Sequence, residues 1–374
     1  MAALLSQRAA SQQASLDAFF GSLGDSGGLV RGVSDRAFAK ARARLHMPAL
    51  QWLNCHLLQG AERLGFVPRW RGLRLVAADA SVLRPAVRAC HRTKSCASAD
   101  QRLFALFLPG AELTLWANVH SACESERAML MGALDQLGPD DVLLLDRGYP
   151  AAWLVQLLNE RGIRFVMRCD NASGWPAVRR FMRTDLPETL VQLNAPSAQH
   201  AADWGCLRQA PSVRLVRNVA PSGAVRVLAT NLQAHEVPAH AFAELYHQRW
   251  RIEEAFKRLK HRLHLEAVSG LSQQAVIVDV AAKVLADNLA SLLCAAAARQ
   301  AEFDAGPRRC KRSYAAQFLQ RMLPRALLCI GRLGELVAQA LQQLAANTQR
   351  LRPGRSRPRQ PNHVKPHPSA VYKG

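Results

Sequence analysis

The chain has 374 residues, 49% of them hydrophobic, and its 49 Lys and Arg outnumber 28 Asp and Glu to leave a formal charge of +21. That length exceeds one small core and predicts two or three lobes. So basic a balance, with a pI near 10.6, points to a polyanionic partner, because each neutralised phosphate releases counterions; no apolar run reaches the ~20 residues of a membrane span.

The N-terminal MAALLSQRAASQQ lacks a basic stretch followed by an apolar one, so no export signal is expected. The nine cysteines show no C-x-x-C pair, which argues against a zinc site or a disulfide framework and suits a reducing cytoplasm. A soluble cytoplasmic protein is predicted.

Residues 1–71 read as helical. Ser34 is a candidate N-cap, followed by Phe38, Ala41, Arg42 and Leu45 at helical spacing. Arg36, Lys40, Arg42 and Arg44 make this segment basic, either as a solvated face or as a helix that touches DNA. From residue 72 the period changes to that of strands. LRLVAADAS, RLFALFLPG and ELTLWANV predict three successive strands, with Pro109-Gly110 as a hairpin signal. A helix is expected over ESERAMLMGALDQL. The unbroken run Val142–Leu145 then predicts a strand buried on both faces, followed by a helix at AAWLVQLLNERG and a strand at RFVMRC.

Three meandering strands followed by alternating helix and strand is the order of an RNase H-like fold, assigned here to 72–170 and 239–300. Between the two halves, 171–238 reads as a β-rich insertion with strands at ETLVQL, VRLVRNV and VRVLATNL. One long helix is expected over about 239–265, with apolar helices at 272–300 and 314–346. The second of these falls in a C-terminal helical region, 301–348. Residues 349–374 form a basic, Pro-rich tail that could lie along DNA or a partner. The predicted class is therefore α/β, an RNase H-like core flanked by helical regions.

Two aspartates are placed for chemistry. Asp79 is expected to end the first strand and Asp146 the fourth, just before Gly148. If those strands are neighbours, both carboxylates lie at one sheet edge, as two-metal phosphodiester chemistry requires. Taken singly, an Asp at a strand end is more commonly a turn residue. A third carboxylate can be sought by geometry on the helix after the insertion. At 100° per residue from Arg249, Tyr246 falls at about 60°, Glu253 at about 40° and Lys260 at about 20°. Leu245, Ile252, Phe256, Leu259 and Leu263 form an apolar stripe alongside. Arg251, Glu254, Arg258, His261 and Arg262 are expected to face solvent. An ordinary amphipathic helix with an Arg249–Glu253 ion pair would show the same pattern.

Tyr246-x2-Arg249-x3-Glu253-x6-Lys260 resembles the Y-R-E-K signature of the insertion-sequence-four family of bacterial DDE transposases, and Asp146-Arg147-Gly148-Tyr149 resembles that family's second-aspartate motif. Asp79 sits where the family's first aspartate is expected. The resemblance covers about residues 30–300. It implies that Asp79, Asp146 and Glu253 hold two Mg²⁺ ions, with Mn²⁺ able to substitute. The substrate would be double-stranded DNA, both the element's terminal repeats and a target, cut and rejoined by a homodimer in a synaptic complex. Tyr246, Arg249 and Lys260 would grip terminal phosphates, and Arg147 could contact DNA or neutralise its neighbours. Trp250 is the aromatic best placed to stack on a flipped base, with Trp204 a weaker candidate, although hydrophobic packing is the commoner role for both.

Three other readings stand beside this one. A catalytically silent derivative could bind element ends as a repressor. Another RNase H-like nuclease would share the core but not the Y-R-E-K helix. A ribosomal or structural nucleic-acid binder would explain the charge but not three spaced carboxylates.

Overall fold

A computed structural model describes residues 2–5, 11–22, 33–84, 100–170, 174–219, 223–270, 272–301, 308–328 and 330–350. The helical start comprises α1 (Ala2–Leu5), α2 (Gln12–Gly21), α3 (Asp35–Ala43) and α4 (Met47–Arg63). Ser34 caps α3 as expected, its hydroxyl accepting from the Ala37 amide, which satisfies one of the helix's open donors. Arg36, Lys40 and Arg44 are exposed. Arg42 instead turns inward and donates to the Ser269 carbonyl at 2.6 Å, tying α3 to the rest of the chain.

Strands β1 (Arg74–Leu83), β2 (Gln101–Leu108) and β3 (Leu113–Ser121) form the antiparallel meander. After α5 (Glu126–Met131) comes β4 (Asp141–Leu145), all five residues of which are buried. Then follow α6 (Ala152–Glu160) and β5 (Arg164–Arg168). β4 runs parallel to both β1 and β5, which explains its unbroken apolar run.

The insertion supplies α7 (Pro176–Met182), β6 (Glu188–Gln192), α8 (Ala198–Trp204), β7 (Ser212–Val219) and β8 (Val225–Thr230). Its strands do not form a sheet of their own. β8 pairs antiparallel with β5 through Val166↔Thr230, and among the described residues one eight-stranded sheet results, ordered β3-β2-β1-β4-β5-β8-β7-β6. The inserted strands thus cover the edge that β5 would otherwise expose.

The long helix expected over 239–265 is segmented. A 3₁₀ turn at Ala239–Ala241 leads into α9 (Phe242–His247), and a second at Gln248–Trp250 separates it from α10 (Arg251–Arg262). The expected apolar stripe of Leu245, Ile252, Phe256, Leu259 and Leu263 is buried against one face of the sheet. The C-terminal part comprises α11 (Gln273–Gln300), β9 (Arg308–Cys310), α12 (Arg312–Leu328), α13 (Leu333–Ala346) and β10 (Thr348–Arg350). One helix over 314–346 was expected; a 3₁₀ turn at Ile330–Arg332 divides it. β10 pairs with β9 and so takes in the first residues of the expected tail.

α11 is long and apolar, yet it buries Asp279, Lys283, Asp287, Asn288 and Ser291. Each has a partner, as buried polar groups require. Lys283 donates to the His264 and Ala267 carbonyls, while Asn288 donates to Asn54 and to the Thr114 carbonyl. Asp287 clamps Arg258, so this arginine, expected to face solvent, is 11% exposed at its side chain. Periodicity on one helix could not show that α11 covers that face. No helix among the described residues is long and apolar enough to cross a membrane. Cys123 is disulfide-bonded, a pairing that no local spacing announced.

Candidate active site

Strand parity places the two aspartates. In β1, Val76 and Ala78 face one core while Leu75 and Ala77 face the other. In β4, Leu143 and Leu145 face the first core while Val142 and Leu144 face the second. Continuing the alternation puts Asp79 and Asp146 on the second face, where α10 packs. The parallel register Ala77↔Leu144 brings them level, each two residues past the C-terminal end of the paired stretch. Asp79 does not end its strand, as expected, but lies within β1, paired with Ala105 of β2. It is free at this edge because β4 stops beside it, and β1 continues along β2 alone.

Asp146 follows β4 directly, and its Oδ1 accepts from the Gly148 amide at 2.7 Å. It is therefore a turn residue as well as a candidate ligand. Space at Gly148 is tight: a Cβ there would stand 3.6 Å from Glu126 Oε2 and 3.0 Å from Asp146 Oδ1, so the latter carboxylate would have to shift by a few tenths of an ångström. Glu126, at the start of α5, is a further carboxylate at this edge that motif spacing did not reveal.

Arg249 joins strand edge to helix. Its guanidinium donates to Glu253 Oε1 at 3.0 Å and lies 3.9 Å from Asp79 Oδ2. Burial opposes its charge, but the Tyr246 phenol and the carboxylates of Asp79, Glu253 and Asp146 hold the proton more tightly than usual. Tyr246 is buried, its hydroxyl donating to the Leu145 carbonyl at 3.1 Å, and burial pushes its pKa up to about 12. Asp79 is pushed up to about 7. Burial is the main cause; Asp146 and Glu126 add to it, while Arg249 and the Ala80 amide oppose it.

The remaining predicted residues divide. Arg147 is exposed and lines a cleft of about 1070 Å³ together with Asp146, Arg249 and Glu253. Trp250 lines the same cleft, is 44% exposed, and has the Lys257 ammonium 5.9 Å from its ring centre. Lys260 lies further along α10, donating to the Val82 carbonyl of β1. Trp204 stacks on Trp153 at 4.3 Å with a 5° interplanar angle, so it serves packing in the insertion. Arg168, Asn218 and Arg226 also line the cleft, from β5, β7 and β8. Only Arg168, at the end of a parallel strand, carried a sequence signal.

A search against protein families finds the transposase DDE domain over residues 70–289, more than half of the chain. The chain belongs to the DDE transposase family. The match begins just before β1 and ends within α11, so it spans both halves of the RNase H-like core and the inserted strands between them. Family membership supports transposase activity and a requirement for divalent metal. No curated protein matches the chain.

Among the described residues, no three His, Cys, Asp or Glu side chains stand close enough together to chelate an ion. Arg249, placed between Asp79 and Glu253, supplies the positive charge there. Two observations nonetheless fit a cation. Asp79 is a largely covered carboxyl whose pKa is pushed up to about 7, chiefly by burial and further by Asp146 and Glu126. The buried Tyr149 hydroxyl has no hydrogen-bond partner among the described residues, and Glu126, Asp79 and Asp146 dominate its charged surroundings.

Proposed function

We propose that this transposase is of the insertion-sequence-four type, binding the terminal repeats of its element, cutting there and joining the freed ends to target DNA. The observation that carries the reading is the meeting of Asp79 and Asp146, level at one edge of β1 and β4, with Glu253 of α10 through a shared Arg249. Asp79, Asp146 and Glu253 would hold the divalent ions, an all-oxygen donor set suited to Mg²⁺ or Mn²⁺. When bound, such ions sharpen the attacking oxygen and neutralise charge on the leaving one.

The chain's own residues do the rest. Asp79 would be ionised when it holds a cation, its proton passing to solvent. Arg249, buried beside Asp79, exchanges the Glu253 carboxylate for a phosphate and becomes a bidentate fork for it. Tyr246, its donor engaged by Leu145, holds α9 against the end of β4 and so sets the distance between helix and strand edge. Arg147 and Lys260 add charge along the DNA backbone, and the exposed Trp250 offers a stacking face to an unpaired base. Two ends must be brought together, which assigns one to each subunit of a homodimer.

The test is cleavage of a labelled duplex bearing the element's terminal repeat, with Mg²⁺ or with EDTA, by wild type and Glu253→Ala. Metal-dependent cutting at the repeat boundary, absent from the variant, supports the reading. Tight end binding without cutting by folded wild type would mark the chain as an end-binding derivative instead.

A further inference from the structure

On the side of α10 away from the carboxylates lies a second recess, of about 360 Å³. Arg251, Lys257, Arg258 and Arg262 enter it from α10, while Arg309 and Arg312 reach in from β9 and the start of α12. Nothing in the transposase reading uses it.

The recess holds more cations than its own acids neutralise. Glu112, at the tip of the β2–β3 hairpin, has a φ of +55°, a left-handed backbone that costs a non-glycine residue on the order of 1 kcal/mol. From that position it takes Arg312, Arg258 at 3.7 Å and Arg251 at 3.9 Å. Burial works to raise its carboxyl, but these three guanidiniums hold it below the usual range. Beneath, Asp287 receives Arg258 Nη2 at 2.7 Å. At the rim, Glu254 accepts from Lys257 at 2.6 Å.

Those contacts use up the acids, and neither Arg262 nor Arg309 forms an ion pair with any of them. Burial and the crowding of Arg258, Arg312 and Arg309 press the Arg262 guanidinium below its ordinary pKa. Such like-charge crowding is relieved by an external anion.

The position of the recess identifies the anion. Trp250 and Glu253 line the carboxylate cleft, whereas Arg251 and Glu254, one residue on in each case, line this recess. The two sites are therefore separated by the width of one helix, ~10 Å. Over that distance a duplex carries about six phosphate charges, so DNA lying across the N-terminal end of α10 brings phosphates to both. Arginine forks match phosphate oxygens, and the recess is open, as a passing backbone requires.

We propose that the recess around Arg251, Arg262 and Arg309 seats a phosphodiester group of duplex DNA, as a grip separate from the carboxylate cleft. From the functional reading it takes only that DNA is the polyanion bound.

The test is the salt dependence of binding of the full chain to a labelled duplex of arbitrary sequence, for wild type, Arg262→Ala/Arg309→Ala and Arg262→Lys/Arg309→Lys. Each phosphate contact contributes about 0.9 to the slope of log K against log salt. The alanine variant should flatten the slope by about 0.9, the share of one phosphate, while the lysine variant keeps the wild-type slope. A second arm loads one duplex first and then measures capture of another. A slope change in the first arm assigns the phosphate to the first DNA bound, and loss of capture alone assigns it to a second duplex. Wild-type slope and capture in a folded alanine variant would overturn the proposal and leave the transposase reading standing. Failure of wild type to bind any duplex at low salt would remove both.

Discussion

The Arg249 guanidinium donates to Glu253 at 3.0 Å while its second nitrogen stands 3.9 Å from Asp79. One side chain thus couples a helix to a strand edge more than a hundred residues earlier in the chain. It explains how acids of like charge are tolerated together: the cation between them offsets repulsion that burial would amplify. Arg249→Ala should therefore lower the affinity of the ion-free protein for DNA and raise the pKa of Asp79 further, which is checked by following the Asp79 carboxyl by NMR in wild type and variant. An unshifted titration would mean that Arg249 does not govern this acid.

Asp79 makes stability depend on pH. Its folded pKa of about 7 exceeds the ordinary aspartate value of 3.8, so the folded state keeps a proton that the unfolded chain gives up. Its contribution to stability is thus greatest below about pH 4 and is lost as pH rises towards 7. Asp79→Asn, which cannot ionise, should stabilise the metal-free protein at about pH 8 by on the order of 2–4 kcal/mol relative to wild type, and the gain should shrink towards pH 4. Mg²⁺ should raise the Tm of wild type at pH 8 and leave that of the variant nearly unchanged. A variant less stable than wild type at pH 8 would contradict this.

Arg258 and Asp287 form a clamp in which Nε donates at 2.8 Å and Nη2 at 2.7 Å. Asp287→Ala leaves the buried Arg258 guanidinium with only the longer Glu112 contact and should cost about 3 kcal/mol in urea unfolding. The double change Arg258→Met/Asp287→Leu, which removes both charges, should recover most of that loss. A double variant no better than the single one would show that the clamp is needed for its shape rather than its charge balance.

Asn288 is fully buried, accepting from the Thr114 amide at 2.7 Å and donating to the Thr114 carbonyl at 2.8 Å and to Asn54 at 2.7 Å. It fastens α11 to both β3 and α4. Asn288→Ala should cost about 3 kcal/mol, because several groups are left buried without partners. Hydrogen exchange should locate the loosening at Thr114; protection unchanged there would argue against the fastening role.

Trp250 contributes little to the core, being 44% exposed. Trp250→Ala should change stability by no more than about 0.5 kcal/mol yet weaken binding of a duplex with an unpaired terminal base, by about 1–3 kcal/mol if the base stacks on the ring. Equal affinity of wild type and variant for that DNA would leave Trp250 as a surface residue.

Much of the architecture was legible in the chain. The three successive strand-like runs of β1 to β3, with Pro109-Gly110 between the last two, and the unbroken apolar run of β4 were legible, because strand composition and turn residues are local signals. The apolar stripe of α10 was legible for the same reason, and so was the Ser34 cap. The β-rich character of the insertion could be read, but its attachment to the edge of β5 could not, since pairing partners leave no local mark. The 3₁₀ turn at Gln248–Trp250 was equally hidden in a helical pattern that runs through it.

The sequence by itself determined which residues are candidates for chemistry: an aspartate in β1, one just after β4 and a glutamate on an amphipathic helix at a recognisable spacing, in a chain with a large positive charge. Local periodicity and covalent spacing carry that information. Tertiary structure alone decided that β4 stops beside Asp79, so that a residue within a strand becomes free at an edge. It also brought Glu126 to the same place and buried Arg258, expected at the surface, beneath α11 and the β2–β3 hairpin. Those outcomes depend on long-range register and on which faces are covered, and such contacts arise only when distant segments pack.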